Sequence, residues 1–371
     1  MTALQPRRVM MTTDAVGGVW TYALDLSAGL RARGMEVTLA VLGPSPQPGQ
    51  RRAAERIEGL GLVDTGLPLD WTARNAGAVA AAAQEVARLA TVHGSDLIHL
   101  NTPALAAEGR FAAPTIGACH SCLASWWSTV RGEEPMPESF RWRTDLLARG
   151  YAACDRLIAP SYAFMQETAA LYGVLPQAVR NGRSPVTGKR LPDRNPIVLT
   201  SGRLWDEGKN LRTLDRAAGR MRGQIHAAGP VKGPDGQTVA FDHILCLGQL
   251  DAAVLAKHLE RSAVFASLSL YEPFGLGVLE AAQAGCALVL SDIPTFRELW
   301  QGAAVFVPAD DDAAAAEALD GLLDDPERAA ALGRCAAERS ARFTVDAMVE
   351  ATLAVYGEAL AARAPFPEVA A

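Results

Sequence analysis

The chain has 371 residues, six cysteines, a formal charge of −6 and 49% hydrophobic side chains. That length argues for two cores rather than one, and the lack of a basic block argues against a nucleic-acid partner. No stretch is long and apolar enough to span a bilayer, MTALQPRRVMMTTD lacks the apolar core of a signal peptide, and Cys154, Cys246, Cys286 and Cys335 fall in apolar segments as small core thiols would in a cytoplasmic protein.

Arg8 to Thr13 reads as a buried strand, followed by Asp14-Ala-Val-Gly17-Gly18 and a helix from about Val19 to Arg33. Val19, Tyr22, Ala23, Leu26 and Leu30 form its apolar stripe, and Gly34 is the stop signal. Glu36 to Leu42 is the next strand, so the chain opens on the strand–turn–helix–strand unit of a doubly wound domain. The dinucleotide fingerprint G-x-G-x-x-G is absent, and Gly17 and Gly18 either admit a ligand to the backbone or simply make a tight turn. Pro44 to Trp71 reads as turns, and Ala73 to Val92 as a helix. Asp96 to Leu100 is a short strand ending at Asn101-Thr-Pro; Pro114 to Cys119 is another, and it delivers His120 to the edge where open α/β sheets bind ligands. A loop with Trp126 and Trp127 follows. Cys119 and Cys122 make a CxxC around His120 with no second pair to complete a zinc site, so a redox or metal role is the lesser alternative. A helix at Glu138–Ala153, a strand at Arg156–Ala159 and a Ser161-capped helix close the half. Asn181-Gly182 is a turn, and the Gly/Pro/Arg-rich segment to Asn195 reads as a linker.

The second half repeats the alternation. Ile197 to Ser201 is a strand, then a loop carries Gly202, Arg203, Lys209 and Asn210 into a helix ending near Met221. Arg203 and Lys209 suit neutralising a phosphate, although a lone surface cation is commonly just solvated. Strands follow at Gln224–Ala228, Ile244–Leu247, Val264–Leu268, Ala287–Ser291 and Ala303–Val307, with a short helix at Phe296–Leu299. Helices at Asp311–Leu323, Pro326–Arg342 and Val345–Arg363 end the chain. Asp310-Asp311-Asp312 matches the D-x-D pattern of metal-dependent sugar transfer, but its place before a polyalanine run reads as a helix cap.

Ser269 to Glu298 is the most informative stretch. Pro273 disfavours helix at Glu272, so Glu272 belongs to a loop and a helix starts near Leu276 or Gly277, with Glu280 about one turn inside. Free amides at a helix start, flanked by Gly275 and Gly277, suit a phosphate-bearing ligand. The two glutamates would grip hydroxyl groups, or else make an ordinary loop and helix cap.

Along nearly its full length the chain resembles retaining glycosyltransferases of the GT-B architecture, family 4 of that classification (glycosyl transferases group 1). The resemblance rests on an ordered set: Gly17-Gly18-Val19, His120, Cys154-Asp155-Arg-Leu-Ile-Ala-Pro-Ser161, Asn181-Gly182, Gly202-Arg203-Leu with Lys209, Glu272-Pro-Phe-Gly-Leu…Glu280-Ala, and Glu298-Leu299. It implies an α/β fold of two Rossmann-like doubly wound domains facing each other across a cleft. Residues 1–188 would form the acceptor domain and 189–344 the donor domain, with the helix at about 345–371 crossing back onto the first.

The resemblance also implies roles. Glu280 would bind the ribose of a nucleotide sugar. Glu272 and the amides of Phe274, Gly275, Leu276 and Gly277 would hold the transferred hexose. Arg203 and Lys209 would stabilise the leaving diphosphate without a metal, the electrostatic contribution expected to dominate. Gly17 or Gly18 would face the phosphates, and His120 the sugar or the reacting centre. The co-substrate expected is a UDP-sugar ahead of a GDP-sugar, with no other cofactor. The acceptor would be a glycan, a lipid-linked sugar or a small molecule, met by the loop of Trp126 and Trp127, and the site of work the cytoplasm or the inner face of the membrane. Two departures stand out: Lys209-Asn210 replaces a common Lys-Gly, and the usual glycine-rich segment is reduced to Ala-Ala-Gly229-Pro230. The alternatives are an epimerase or phosphorylase on the same fold and a non-catalytic sugar-binding protein.

Overall fold

The computed structural model describes residues 5–185, 194–233 and 236–363. They divide into two compact units: residues 5–125, 134–182 and 345–363 form the first, and Trp126–Glu133 with Arg183–Thr344 the second. The expected boundary between residues 188 and 189, and the tail beyond 363, lie outside the described residues.

In chain order the elements up to residue 178 are β1 (Arg8–Asp14), α1 (Gly18–Ala32), β2 (Glu36–Leu42), α2 (Pro48–Glu55), β3 (Gly61–Asp64), α3 (Ala76–Val92), β4 (Leu97–Leu100), β5 (Thr115–Ala118), α4 (Leu123–Arg131), α5 (Glu138–Ala153), β6 (Arg156–Ala159), α6 (Tyr162–Tyr172) and β7 (Gln177–Ala178). They form a sheet of order β3-β2-β1-β4-β5-β6-β7, parallel throughout. Then come β8 (Asn195–Ser201), α7 (Leu211–Ala218), β9 (Gln224–Ala228), β10 (Leu245–Gly248), α8 (Ala252–Arg261), β11 (Ser262–Ser267), α9 (Leu276–Ala284), β12 (Ala287–Ser291), α10 (Pro294–Trp300), β13 (Val305–Val307), α11 (Asp312–Leu323), α12 (Pro326–Ser340) and α13 (Val345–Arg363). The second sheet runs β10-β9-β8-β11-β12-β13, again parallel.

Both sheets therefore follow the Rossmann order, reversing direction beside their first strand, where such sheets open a ligand crevice at the strands' carboxyl ends. The all-parallel pairing explains the continuous apolar strand runs read from the sequence. Val9 to Met11 and Ala287 to Leu290 are at most 1% exposed, because helices cover both faces of such a sheet.

The fold class is the one the sequence implies, with local corrections. Pro44 to Trp71 holds α2 and β3 rather than turns alone. In α2 only Ala54 is buried and a capping box at Gln47 and Gln50 starts the helix, so no apolar stripe announces it. Helix α8 lies in a stretch where none was expected. The expected loop of Trp126 and Trp127 is helix α4, and residues 126–133 cluster with the second unit rather than the first. Its Leu123, Trp126, Trp127 and Val130 have the i, i+3, i+4, i+7 spacing of a helix, a signal present in the sequence. Cys286 is buried, but Cys246 and Cys335 are exposed, so they are not core thiols. The cap expected at the acidic triplet is Asp311, whose carboxylate accepts from the Ala314 amide at 2.8 Å. Ser161 caps α6 through the Phe164 amide. No helix among the described residues is long and apolar enough to cross a membrane.

Candidate functional site

In the second unit two loops at the carboxyl ends of β8 and β11 carry most of the candidate residues. They are stitched together by backbone: the Gly208 carbonyl accepts from the amides of Leu270 and Tyr271 at 2.9 and 3.2 Å. That closeness lets Lys209 reach Glu272, and Nζ and Oε2 form an ion pair with both side chains largely buried. Such a pair holds a carboxylate and an ammonium ready for a polar ligand, since neither charge can stay unpartnered in a half-buried place.

Asn210, directly after Lys209, sits at φ 54°, ψ 39°, the only non-glycine among the described residues with positive φ. Glycine is usual in that conformation, and asparagine is the side chain that tolerates it best. Its Nδ2 donates to the carbonyls of Leu268 at 2.9 Å and Ala309 at 2.6 Å, and its Oδ1 accepts from the Thr213 hydroxyl at 2.9 Å. The departure from Lys-Gly thus supplies a side-chain tie to the loops after β11 and β13.

Asp206 was missed in the sequence. Its side chain is 9% exposed and accepts from Arg203 at 2.8 Å, the Trp126 indole at 3.1 Å and the Gly208 amide at 3.0 Å. Burial opposes its ionisation, but Arg203, Lys209 and these donors outweigh burial and hold the carboxyl below its usual range. Arg131, also on α4, pairs with Glu207 at 2.8 Å. Trp126 therefore spends its N–H on the loop of Arg203, and the Trp127 ring lies tilted beside it with ring centroids 6.3 Å apart.

Helix α9 starts at Leu276, with Gly275 as its cap at φ 91°, a conformation an L side chain rarely adopts. A Cβ on Gly277 would meet the Ser201 hydroxyl at 3.1 Å, so the helix start lies close to the end of β8. Phe274 is 3% exposed and packs edge-to-face on Phe343, which leaves only its backbone for a ligand. One turn into α9, Glu280 is bonded to Arg183, Nε to Oε1 at 2.6 Å, and the Gln283 amide holds the Arg183 carbonyl at 2.9 Å. Arg183 lies 97 positions upstream, so no local pattern discloses it.

In the first unit Gly17 caps α1 without a side-chain bond, and Gly18 opens the helix just past β1. His120 follows β5 and is bonded to Asn101, Nε2 to Oδ1 at 2.7 Å. Asn101 in turn touches His99, fully buried in β4, at 3.2 Å, and His99 meets the hydroxyls of Tyr356 at 2.9 Å and Tyr22 at 3.4 Å. Burial pushes His120 down to about 4 and His99, which His120 also opposes, to about 3, so both rings are neutral at physiological pH. Asp70, also in the first unit, is pushed up to about 6 by burial, with Asp14 adding to the effect. Cys119 and Cys122 are buried and not joined in a disulfide, and among the described residues no group of three or more His, Cys, Asp or Glu is placed to hold a metal ion.

Comparison with known proteins bears on what these arrangements belong to. Residues 16–182 match the model of Glycosyltransferase Family 4, and residues 195–325 that of Glycosyl transferases group 1. The chain is 27% identical to the D-inositol 3-phosphate glycosyltransferase of Kineococcus radiotolerans, over 95% of this chain and 93% of that protein. Among solved structures it is similar to sucrose-phosphate synthase from Thermosynechococcus elongatus, with a TM-score of 0.77 at 19% identity, covering 96% of this chain and all of the other. It is also similar to an Anabaena protein, HepE, solved with UDP and glucose, with a TM-score of 0.70 at 16% identity over 95% of this chain and 100% of that one. Likeness at that identity speaks for a shared fold.

Proposed function

Because the chain belongs to glycosyltransferase family 4 and has the GT-B architecture, we propose that it moves a hexose from a nucleotide-diphosphate sugar to an acceptor hydroxyl with retention of configuration and without a metal. The observation that carries this reading is the ion pair of Lys209 and Glu272 on two loops tied at Gly208, beside the start of α9. Arg203 and Lys209 supply positive charge for a leaving diphosphate. Glu272 and the amides of Phe274 to Gly277 supply acceptors and donors for the hydroxyls of a hexose. A carboxylate has about four lone-pair sites, so Glu280 can keep Arg183 and still accept from ribose hydroxyls. In the transfer the bond from the anomeric carbon to the phosphate oxygen breaks. A bond from that carbon to the acceptor oxygen forms on the same face, and the leaving phosphate takes the acceptor's proton. Preorganised charge at the departing oxygen is the kind of contribution worth about 100- to 1000-fold in rate.

The donor is a UDP-sugar ahead of a GDP-sugar, and the acceptor a glycan, a lipid-linked sugar or a small molecule. D-inositol 3-phosphate, the acceptor in the relative's name, is the first small molecule to offer. The test is release of nucleoside diphosphate from a panel of nucleotide sugars, with and without acceptors. Glu272→Gln and Lys209→Ala are each expected to cut turnover about 100- to 1000-fold while the circular dichroism spectrum stays that of the folded chain. Near-normal turnover in either variant would overturn the site assignment. Silence of the wild-type protein with every donor would overturn the enzyme reading.

A further inference from the structure

Asn101 is 8% exposed, and its carboxamide has one workable orientation. Nδ2 lies 2.7 Å from the Thr12 carbonyl, which can only accept, so Oδ1 faces the two imidazoles. The Asn101 amide also donates to the Thr12 hydroxyl at 2.9 Å, fixing the residue to β1 by main chain and side chain alike. Oδ1 is 2.7 Å from Nε2 of His120 and 3.2 Å from Nε2 of His99. An amide oxygen has two lone pairs and no proton, so each ring meets it as an N–H donor through Nε2. On His99 the remaining nitrogen, Nδ1, then accepts from the Tyr356 hydroxyl at 2.9 Å, and burial pushes that phenol's pKa up so that it keeps its proton. One proton arrangement satisfies the whole cluster.

We propose that Asn101 is a positioning residue that holds His120 in the Nε2–H tautomer, so that His120 meets a bound sugar through the lone pair of Nδ1 and accepts a hydrogen bond from one of its hydroxyls. The identity of the ligand rests on the glycosyltransferase reading above; the tautomer does not. A neutral ring presenting a lone pair repels a phosphate oxygen, so His120 selects hydroxyl hydrogen. The residue that sets this choice is buried.

The experiment is long-range proton–nitrogen NMR of the uniformly labelled full chain, with His120→Gln identifying the His120 signals. In the wild type the expected pattern is a protonated Nε2 and an unprotonated Nδ1 at His120. In Asn101→Ala the His120 pattern is expected to average between the two tautomers. A wild-type ring protonated at Nδ1, or an unchanged tautomer in a folded Asn101→Ala protein, would overturn the proposal. If Asn101→Ala does not fold, the wild-type spectrum decides alone. Turnover of a nucleotide sugar supplies the second arm: Asn101→Ala should lower kcat about 10- to 100-fold, the usual cost of losing a residue that orients a functional side chain. Absence of turnover in wild type and variant alike would count against the glycosyltransferase reading and leave the tautomer result standing.

Discussion

Replacing Asn210 separates two physical contributions that the site loop depends on. Asn210→Ala removes the donors to the carbonyls of Leu268 and Ala309 and the acceptor for Thr213. Each such bond contributes about 0.5–1.5 kcal/mol. Alanine must also hold φ 54°, which costs about 1–2 kcal/mol for a residue with a Cβ and no side-chain tie. Together these place the loss at about 3 kcal/mol or more. Asn210→Gly loses the same bonds but keeps the left-handed conformation freely, so it should be about 1 kcal/mol milder than alanine. For a unit of this size a loss of about 3 kcal/mol lowers Tm by roughly 6–12 °C. The assay is thermal and urea unfolding of the full chain followed by circular dichroism, with both transitions recorded because two units need not unfold together. A glycine variant as unstable as the alanine one would refute the conformational argument. Two variants within about 0.5 kcal/mol of wild type, the range of an ordinary surface change, would refute the hydrogen-bond argument.

The buried histidines give a pH prediction. His99 and His120 have folded pKa values depressed to about 3 and about 4, while in the unfolded chain a histidine titrates near about 6.5. Between those values the unfolded state binds more protons, so stability falls as pH falls from about 6.5 toward 4, by up to about 1.4 kcal/mol per pH unit for each ring. Asp70, raised to about 6, has the opposite sign and offsets part of one histidine's effect below pH 6. His99→Gln should flatten this acid limb in urea titrations run at stepped pH; an unaltered limb would show that the rings are not held neutral. A second prediction concerns Gly229, at φ 150°, where an added Cβ would stand 1.8 Å from the Gly202 carbonyl oxygen. Gly229→Ala should destabilise the second unit by about 3 kcal/mol or more through overpacking and backbone strain together. Gly302→Ala is the control: its φ is +81° and nothing lies within 4 Å, so about 1 kcal/mol is expected. Equal losses in the two variants would mean that the loop of Gly202 yields easily.

What the sequence disclosed and what it hid divide along the range of the interactions. Strand runs such as Val9–Thr13 and Ala287–Ser291, the caps Ser161 and Asp311, and the helix start at Leu276 follow from near neighbours and were legible. Helix α2 was not, because a polar helix with one buried alanine has no stripe to read. Helix α4 carries its stripe in only nine residues, too short for periodicity alone to tell it from a loop rich in tryptophan. The partners of the candidate residues were beyond reach for a different reason. Arg183 meets Glu280 across 97 positions, and Tyr356 meets His99 across 257. Asp206 lies in the loop itself, yet its role depends on an indole 80 positions earlier. Lys209 and Glu272, 63 positions apart, were paired only by the resemblance that assigned both to one ligand.

Helix α13 has a bearing on how the protein is made. It belongs to the first unit, although the whole second unit precedes it in the chain. Its Tyr356 hydroxyl completes the His99 cluster, its Arg363 binds the Asp155 carboxylate at 2.8 and 2.9 Å, and Val349 lies against Gly29 of α1. During synthesis the sheet that is translated first must therefore wait, with Tyr22, His99 and the α1 surface uncovered, while roughly 160 further residues between Gly182 and Val345 are added, a delay of about 8–30 s at bacterial to eukaryotic elongation rates. The second unit, contiguous but for the α4 segment, needs nothing that is translated after Thr344. A ribosome stalled just before Val345 would hold an imidazole cluster short of its tyrosine.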